Sequence, residues 1–382
     1  MAEQKKIFSV LGMLIPVLLL GGFFSVGLFS DQMKSYLNPE PYPEEETRED
    51  QEQAPAESAG QDLRDLTWNR LADAPWSPRD THAVMVFQDK LWLMGGLSGA
   101  TATPGYVDYW LMPTFNDVWA SEDGAHWERI AEEAAWSKRR SIPGIVWQDA
   151  MWIMGGYEGE TSRTKNDVWR SEDGNQWTLV AESAQWAPRE GHWTVVYDDK
   201  LWVFGGVDFG ARRAMNDVWY TEDGARWIQA TQEAPWSPRY AHRVIVFQDK
   251  MWLMAGLAPG QPVSEDIWVT ENGKDWELVM ANALWPGRHD PGLVVFGDHL
   301  WLIGGWSEEK ALNDTWFSAD GIHWEQTGTN GPWEGREDHG VVVFQDKIWI
   351  TGGMDANWKW RNDIWYSVFP DEEQEAEYNP EG

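Results

Sequence analysis

The chain has 382 residues, 62 of them acidic and 30 basic, with a formal charge of −32 and no cysteine. Such a charge argues against nucleic acid or an anionic lipid surface as the main partner, since either would repel it. The missing thiols exclude disulfides, thiolate metal sites and cysteine nucleophiles.

In chain order, Lys5 and Lys6 precede Ile7–Phe29, which is 23 residues without a charge. The apolar region of a cleaved signal is usually about 7–15 residues long and ends at a small-x-small site. This stretch is longer and has no clear Ala-x-Ala. About 20 apolar residues suffice to span a bilayer as a helix. Residues 1–30 are therefore expected to form a signal anchor, with the lysines holding the N-terminus inside. A signal peptide cleaved near Gly27 or Ser30 is the alternative. Either would export the remainder of the chain, to a periplasm or to the extracellular space. Residues 31–65 read as an acidic disordered linker, because Glu40–Asp62 holds nine acids and one Arg. Residues 370–382 read likewise, with six acids and no base in Asp371–Glu381.

Between these lies a unit of about 50 residues that recurs six times over residues 66–369. Each copy runs from Trp through Pro-Arg or a near variant into an apolar strand. A polar turn, a glycine pair, Asn-Asp-Val-Trp, Ser-Glu-Asp-Gly and a last Trp come next, each with variants. The glycine pairs are Gly95-Gly96, Gly155-Gly156, Gly205-Gly206, Gly304-Gly305 and Gly352-Gly353, with Ala255-Gly256 in the fourth copy. In the third copy Trp193–Tyr197 and Leu201–Phe204 flank an Asp-Asp-Lys turn. Asp217–Tyr220 and Trp227–Ala230 flank Glu222-Asp223-Gly224, where Asp-Gly supplies the positive φ of a hairpin. Four short antiparallel strands make a propeller blade, so an all-β, six-bladed β-propeller is expected. The sixth copy stops after Asn362-Asp363-Ile364-Trp365, without a final strand. Thr67-Trp68-Asn69-Arg70-Leu71 matches His126-Trp127-Glu128-Arg129-Ile130, so the N-terminal strand should complete the last blade and remove a sheet edge.

The glycine pairs, the Pro-Arg lead-in and the Asn-Asp-Val-Trp strand resemble the Kelch-repeat β-propellers over about 300 residues. The Ser-Glu-Asp-Gly-x-x-Trp turns look like a shortened Asp box of sialidase-type propellers, which there is a fold element away from the active site.

Four repeat columns hold 24 of the 30 tryptophans and read as packing between blades. Off these columns Trp110, Trp306, Trp358 and Trp360 fall in loops after the glycine pairs, and Trp193 starts a strand. Strand parity places the lead-in loops and the loops after the glycine pairs on one face, and the short hairpins on the other. The first face carries Arg79, Arg139, Arg189, Arg239, Arg288 and Arg336, the four loop tryptophans, Tyr157, and an aromatic-rich excursion from Leu97 to Phe115, while Trp193 either faces the pore or packs locally. Loop insertions on one face of a repeat fold often mark the binding face. In peptide-binding Kelch propellers, arginines here grip acidic groups, and the resemblance implies that role for these six. Each copy also has an Asp in register: Asp117, Asp167, Asp217, Asp266, Asp314 and Asp363. Repeated structural ion pairs are the competing expectation.

His82, His192, His242 and His339 follow the Arg by three, with Ile142 and Pro291 in the gaps. Such a column reads as core, so no metal and no cofactor is expected. His289-Asp290 is singular. The expected function is a protein- or glycan-binding module with a protein or acidic, sugar-like ligand and no nucleic acid. A carbohydrate-active enzyme is the alternative. Copper radical oxidases of this fold need a Tyr–Cys cross-link that this chain cannot form. N-acetylneuraminate epimerase is an exported six-bladed Kelch protein, but no catalytic residue matches one to one. Asp80, Glu190, Glu337 and Asp338 are candidate bases.

Overall fold

The structure is a computed structural model and describes residues 62–99 and 112–369, all within the unit Gln61–Gly382. The expected anchor, most of the acidic linker, the acidic tail and Trp110 lie outside the described residues. No helix among the described residues is long and apolar enough to cross a membrane.

The repeat becomes a four-stranded antiparallel meander. In the first copy Ala83–Phe87, Lys90–Met94, Val118–Ser121 and Trp127–Ala131 pair in that order. Alternation along Ala83–Phe87 buries Ala83, Met85 and Phe87. The second strand, Lys90–Met94, is buried almost throughout, because sheets pack on both of its faces. Six such four-stranded sheets occur among the described residues, beside one three-stranded and one two-stranded ribbon. Their innermost strands, Ala83–Phe87, Gly144–Trp147, Trp193–Tyr197, Arg243–Phe247, Gly292–Phe296 and Gly340–Phe344, touch in sequence. The last also touches the first. The fold is a β-propeller.

The sixth sheet is assembled from both ends of the repeat region. Thr67–Arg70 pairs antiparallel with Ile364–Val368, in the register Thr67↔Val368 to Arg70↔Trp365. Two columns of side chains show that this strand stands in for the missing one. Each lead-in Trp meets a fourth-strand Trp edge to face, as in Trp76–Trp127, Trp136–Trp177, Trp186–Trp227, Trp236–Trp276 and Trp285–Trp324. In the last copy the partner of Trp333 is Trp68, with centroids 4.8 Å apart. Asn116 Nδ2 donates to the carbonyls of Ala134 and Trp136 in the following lead-in. Asn362 repeats that brace onto Ala74 and Trp76, across the chain ends.

A second tryptophan column binds sheet to sheet. Each indole N–H donates to the carbonyl five residues earlier, as Trp92 does to Phe87. Its ring lies against the turn glycine of a neighbouring sheet. A Cβ on Gly174 would come within 2.2 Å of Trp92, and one on Gly124 within 2.2 Å of Trp349. The φ of +74° and +72° at Gly124 and Gly174 adds a second reason for glycine. The sixth copy has no such turn, and Trp301 is covered by Phe369 instead, at 5.9 Å.

Candidate functional site at the lead-in rim

The six arginines are girders. All are 0–1% exposed. Each Nη1 donates to the matching Asp Oδ1 at 2.6–2.7 Å, and each Nη2 to Oδ2 at 2.7–2.9 Å. Nη1 also donates to the carbonyl of the first residue of the glycine pair, as Arg79 does to Gly95. Nε donates to the carbonyl two residues back, as Arg79 does to Ser77. Each Asp Oδ2 additionally accepts the indole N–H of the Trp two residues on, at 2.7–2.9 Å. Burial opposes ionisation of Asp167, Asp217 and Asp363. The guanidinium facing each outweighs it and holds the carboxyls below their usual range. The expectation of repeated ion pairs holds, and the reading of an accessible cationic ring is corrected. Bidentate pairing inside the sheets leaves no guanidinium face for a ligand.

The face assignment from strand parity agrees with the geometry. Arg79 sits at the foot of the long excursion, with Cζ 4.3 Å from the Phe115 ring centroid.

One residue beyond each Arg the repeat breaks down. The residues there are Asp80, Arg140, Glu190, Tyr240, His289 and Glu337. All but Tyr240 are buried, and Tyr240 is partly so. The backbone explains why they gather at the axis. The next residues, Thr81, Ser141, Gly191, Ala241, Asp290 and Asp338, all have φ between 49° and 62°. Five hydrogen bonds link them around the axis. Ser141 N donates to Thr81 O, Thr81 N to Asp338 O, Asp338 N to Asp290 O, Asp290 N to Ala241 O, and Ala241 N to Gly191 O. Left-handed backbone costs a non-glycine residue roughly 1–2 kcal/mol. Six copies of it, cross-bonded, hold the preceding side chains together at the mouth. Sequence reasoning missed this chain of bonds. Its signal was the small or Asp-like column two residues after each Arg.

The mouth holds five carboxyls, Asp80, Glu190, Asp290, Glu337 and Asp338, against two guanidiniums, Arg140 and Arg243. Arg140 Nε donates to Glu190 Oε2 at 3.1 Å, and the Arg140 guanidinium lies 4.4 Å from the Tyr157 ring centroid. Arg243 Nη1 donates to Asp290 Oδ1 at 3.3 Å, and its Cζ lies 4.2 Å from the Trp193 ring centroid. Asp80 accepts from Thr81 Oγ1 and from Trp360 Nε1, at 3.1 and 2.9 Å. Burial pushes Asp80 up to about 7, although Thr81, Arg140 and Trp360 pull the other way. Burial, and after it the charge of Asp290, also raises Glu337 and Asp338 well above the carboxylate range. Burial acts on Asp290 too, but hydrogen bonding from His289 and the charge of Arg243 leave it lowered. A carboxyl pushed up to about 7 beside one held lowered can donate and accept protons near neutral pH.

The predicted aromatics divide. Tyr157 and Trp360 are buried and pack the mouth. Trp193, Trp306 and Trp358 are partly exposed on the same rim. Trp110 lies outside the described residues. The histidine column is core: His82, His192 and His242 lie tilted against Trp76, Trp186 and Trp236. Burial first, then the neighbouring arginines, lowers His82, His242 and His339 to about 3.

The fold and rim define a propeller with Kelch-like repeats. Residues 145–286 match the family model described as the KLHDC2/KLHL20/DRC7 Kelch-repeats domain. Among solved structures the chain is similar to one described as the structure of YjhT. That likeness has a TM-score of 0.61 at 16% identity and covers 79% of this chain and 99% of the other. No curated protein matches the sequence.

Proposed function

We propose that this chain is a protein-binding propeller that recognises its partner through the lead-in rim, with its six sheets acting as six blades. The observation that carries this is a single rim on which Trp193, Trp306 and Trp358 keep exposed surface around an acid-rich mouth. Large flat rings supply contact area at low entropic cost, and flanking charge sets partner choice. The Kelch-repeat match over residues 145–286 supports a protein partner. With the arginines consumed, the mouth suits a basic or neutral segment rather than an acidic one. Residues 1–30 tether the propeller outside the cytoplasm, on the strength of the uncharged Ile7–Phe29 stretch.

The test places a photo-crosslinking amino acid at Trp306, at Trp358, and at Lys90 beside an opposite hairpin, in the full chain in its host. Partner adducts from the first two positions and none from Lys90 support the reading. Adducts from Lys90 alone overturn it. The alternative, a carbohydrate-active enzyme, draws on the raised carboxyls of the mouth. Accelerated exchange of sialic-acid anomers, lost in Glu337→Gln, would favour it.

A further inference from the structure

His289 and Asp290 adjoin in sequence, and Glu337 arrives from the next lead-in, 48 positions after His289. One donor atom from each of the three lies within 4.8 Å of the other two. His289 Nδ1 is 3.3 Å from Asp290 Oδ2 and 3.2 Å from Glu337 Oε2. Metal–ligand distances of about 2.0–2.2 Å place neighbouring donors of one ion roughly 3.0–3.5 Å apart.

Glu337 carries the argument further. It is 0% exposed, and neither of its carboxylate oxygens takes part in a hydrogen bond. The approach of His289 Nδ1 is close but not aligned as a hydrogen bond. A fully buried carboxylate without partners is costly unless something else compensates it. The cations at hand are committed, Arg140 to Glu190 and Arg243 to Asp290. Asp290 keeps a side-chain exposure of 13%, which opens the cluster to solvent.

We propose that His289 Nδ1, Asp290 and Glu337 bind one divalent transition-metal ion at the mouth of the propeller. An imidazole with two carboxylates suits Mn²⁺ or Zn²⁺ better than Ca²⁺, which prefers oxygen alone. Arg243, held over Trp193, fixes the second oxygen of Asp290 and orients the ligand. The ion would supply the partner that the Glu337 oxygens lack and offer open coordination positions to whatever docks there. The site stands on its own geometry, whichever partner the rim takes.

The test uses the full chain in detergent, stripped with EDTA and titrated with MnCl₂ under electron paramagnetic resonance, with ZnCl₂ and CaCl₂ as competitors. One saturable Mn²⁺ site is expected, showing a nitrogen hyperfine coupling that His289→Gln abolishes. Glu337→Gln should weaken binding at least about tenfold. Zn²⁺ should displace Mn²⁺ at lower concentration than Ca²⁺. Tryptophan fluorescence and near-ultraviolet dichroism check that each variant is folded. Asp290→Asn serves as the second test if Glu337→Gln is not, and should weaken binding too. The proposal falls if neither Mn²⁺ nor Zn²⁺ saturates the wild type. It falls equally if bound Mn²⁺ shows no nitrogen coupling and survives both substitutions, which would place it on the acidic segments.

Discussion

Arg79 and Asp80 are neighbours in sequence and opposites in role. The Arg column is identical in all six copies and has its donors matched within its own sheet. The column beside it contains Asp, Arg, Glu, Tyr, His and Glu, and ends in a carboxylate with no hydrogen bond at all. The first region is satisfied within each repeat, so repetition suffices to build it. The second draws its contacts from different sheets, as Arg140 does from Glu190 and Trp360 from Asp80. Stability resides in the column that repeats, and chemistry in the one that does not.

The largest effect should come from breaking the closure on which both regions rest. Deletion through Arg70 removes Trp68 from Trp333 and leaves Ile364–Val368 as an open edge. Thermal unfolding should become broad and the chain prone to association, a loss beyond that of any point change. Retained cooperative unfolding near the wild-type midpoint would refute the closure.

Next comes the girdle. Arg189→Ala strands Asp217, which is 9% exposed, and should cost about 3–5 kcal/mol in denaturant unfolding. If Arg189 serves a ligand instead, stability will hold and only binding will fall.

The histidine column sets a pH dependence. His82, His242 and His339 have folded-state values near 3 against an ordinary 6.5. The unfolded chain therefore binds protons first as pH falls. Their contribution is fully present above about 6.5 and is lost between there and about 3, by up to about 1.4 kcal/mol per pH unit for each. Glu337 and Asp338, raised in the fold, act in the opposite sense, losing stability as pH climbs above the ordinary carboxyl range. His242→Ile places at this position the residue that Ile142 supplies in the second copy. Unfolding midpoints between pH 4 and 7 should flatten in this variant, and an unchanged slope would count against a neutral buried imidazole.

The smallest effect on stability should be at the rim. Trp306→Ala and Trp358→Ala should each change stability by about 1 kcal/mol or less. Capture of the partner should nonetheless weaken about tenfold or more, as for an aromatic hot spot. Equal losses of stability and binding would erase the distinction between the two regions.

Much of the fold was legible because its contacts are local or periodic. Repeat spacing, turn glycines and the match of Thr67–Leu71 to His126–Ile130 predicted the sheets and the closing strand. The register of Arg with Asp predicted the girders, since both residues lie in one copy. Trp360 and Tyr157 were read as surface and are buried: Trp360 because its partner Asp80 comes from another copy, and Tyr157 because the lead-in of its own copy folds back so that Arg140 pairs with it.

The amino-acid order alone thus determined the repeating meander and its internal pairs, since hydrophobic period, turn chemistry and opposite charge act within about fifty residues. Only the closed tertiary structure decided that six left-handed lead-ins meet and that His289, Asp290 and Glu337 share one buried point. That decision rests on ring geometry, which brings together at an axis residues that neighbour one another nowhere else.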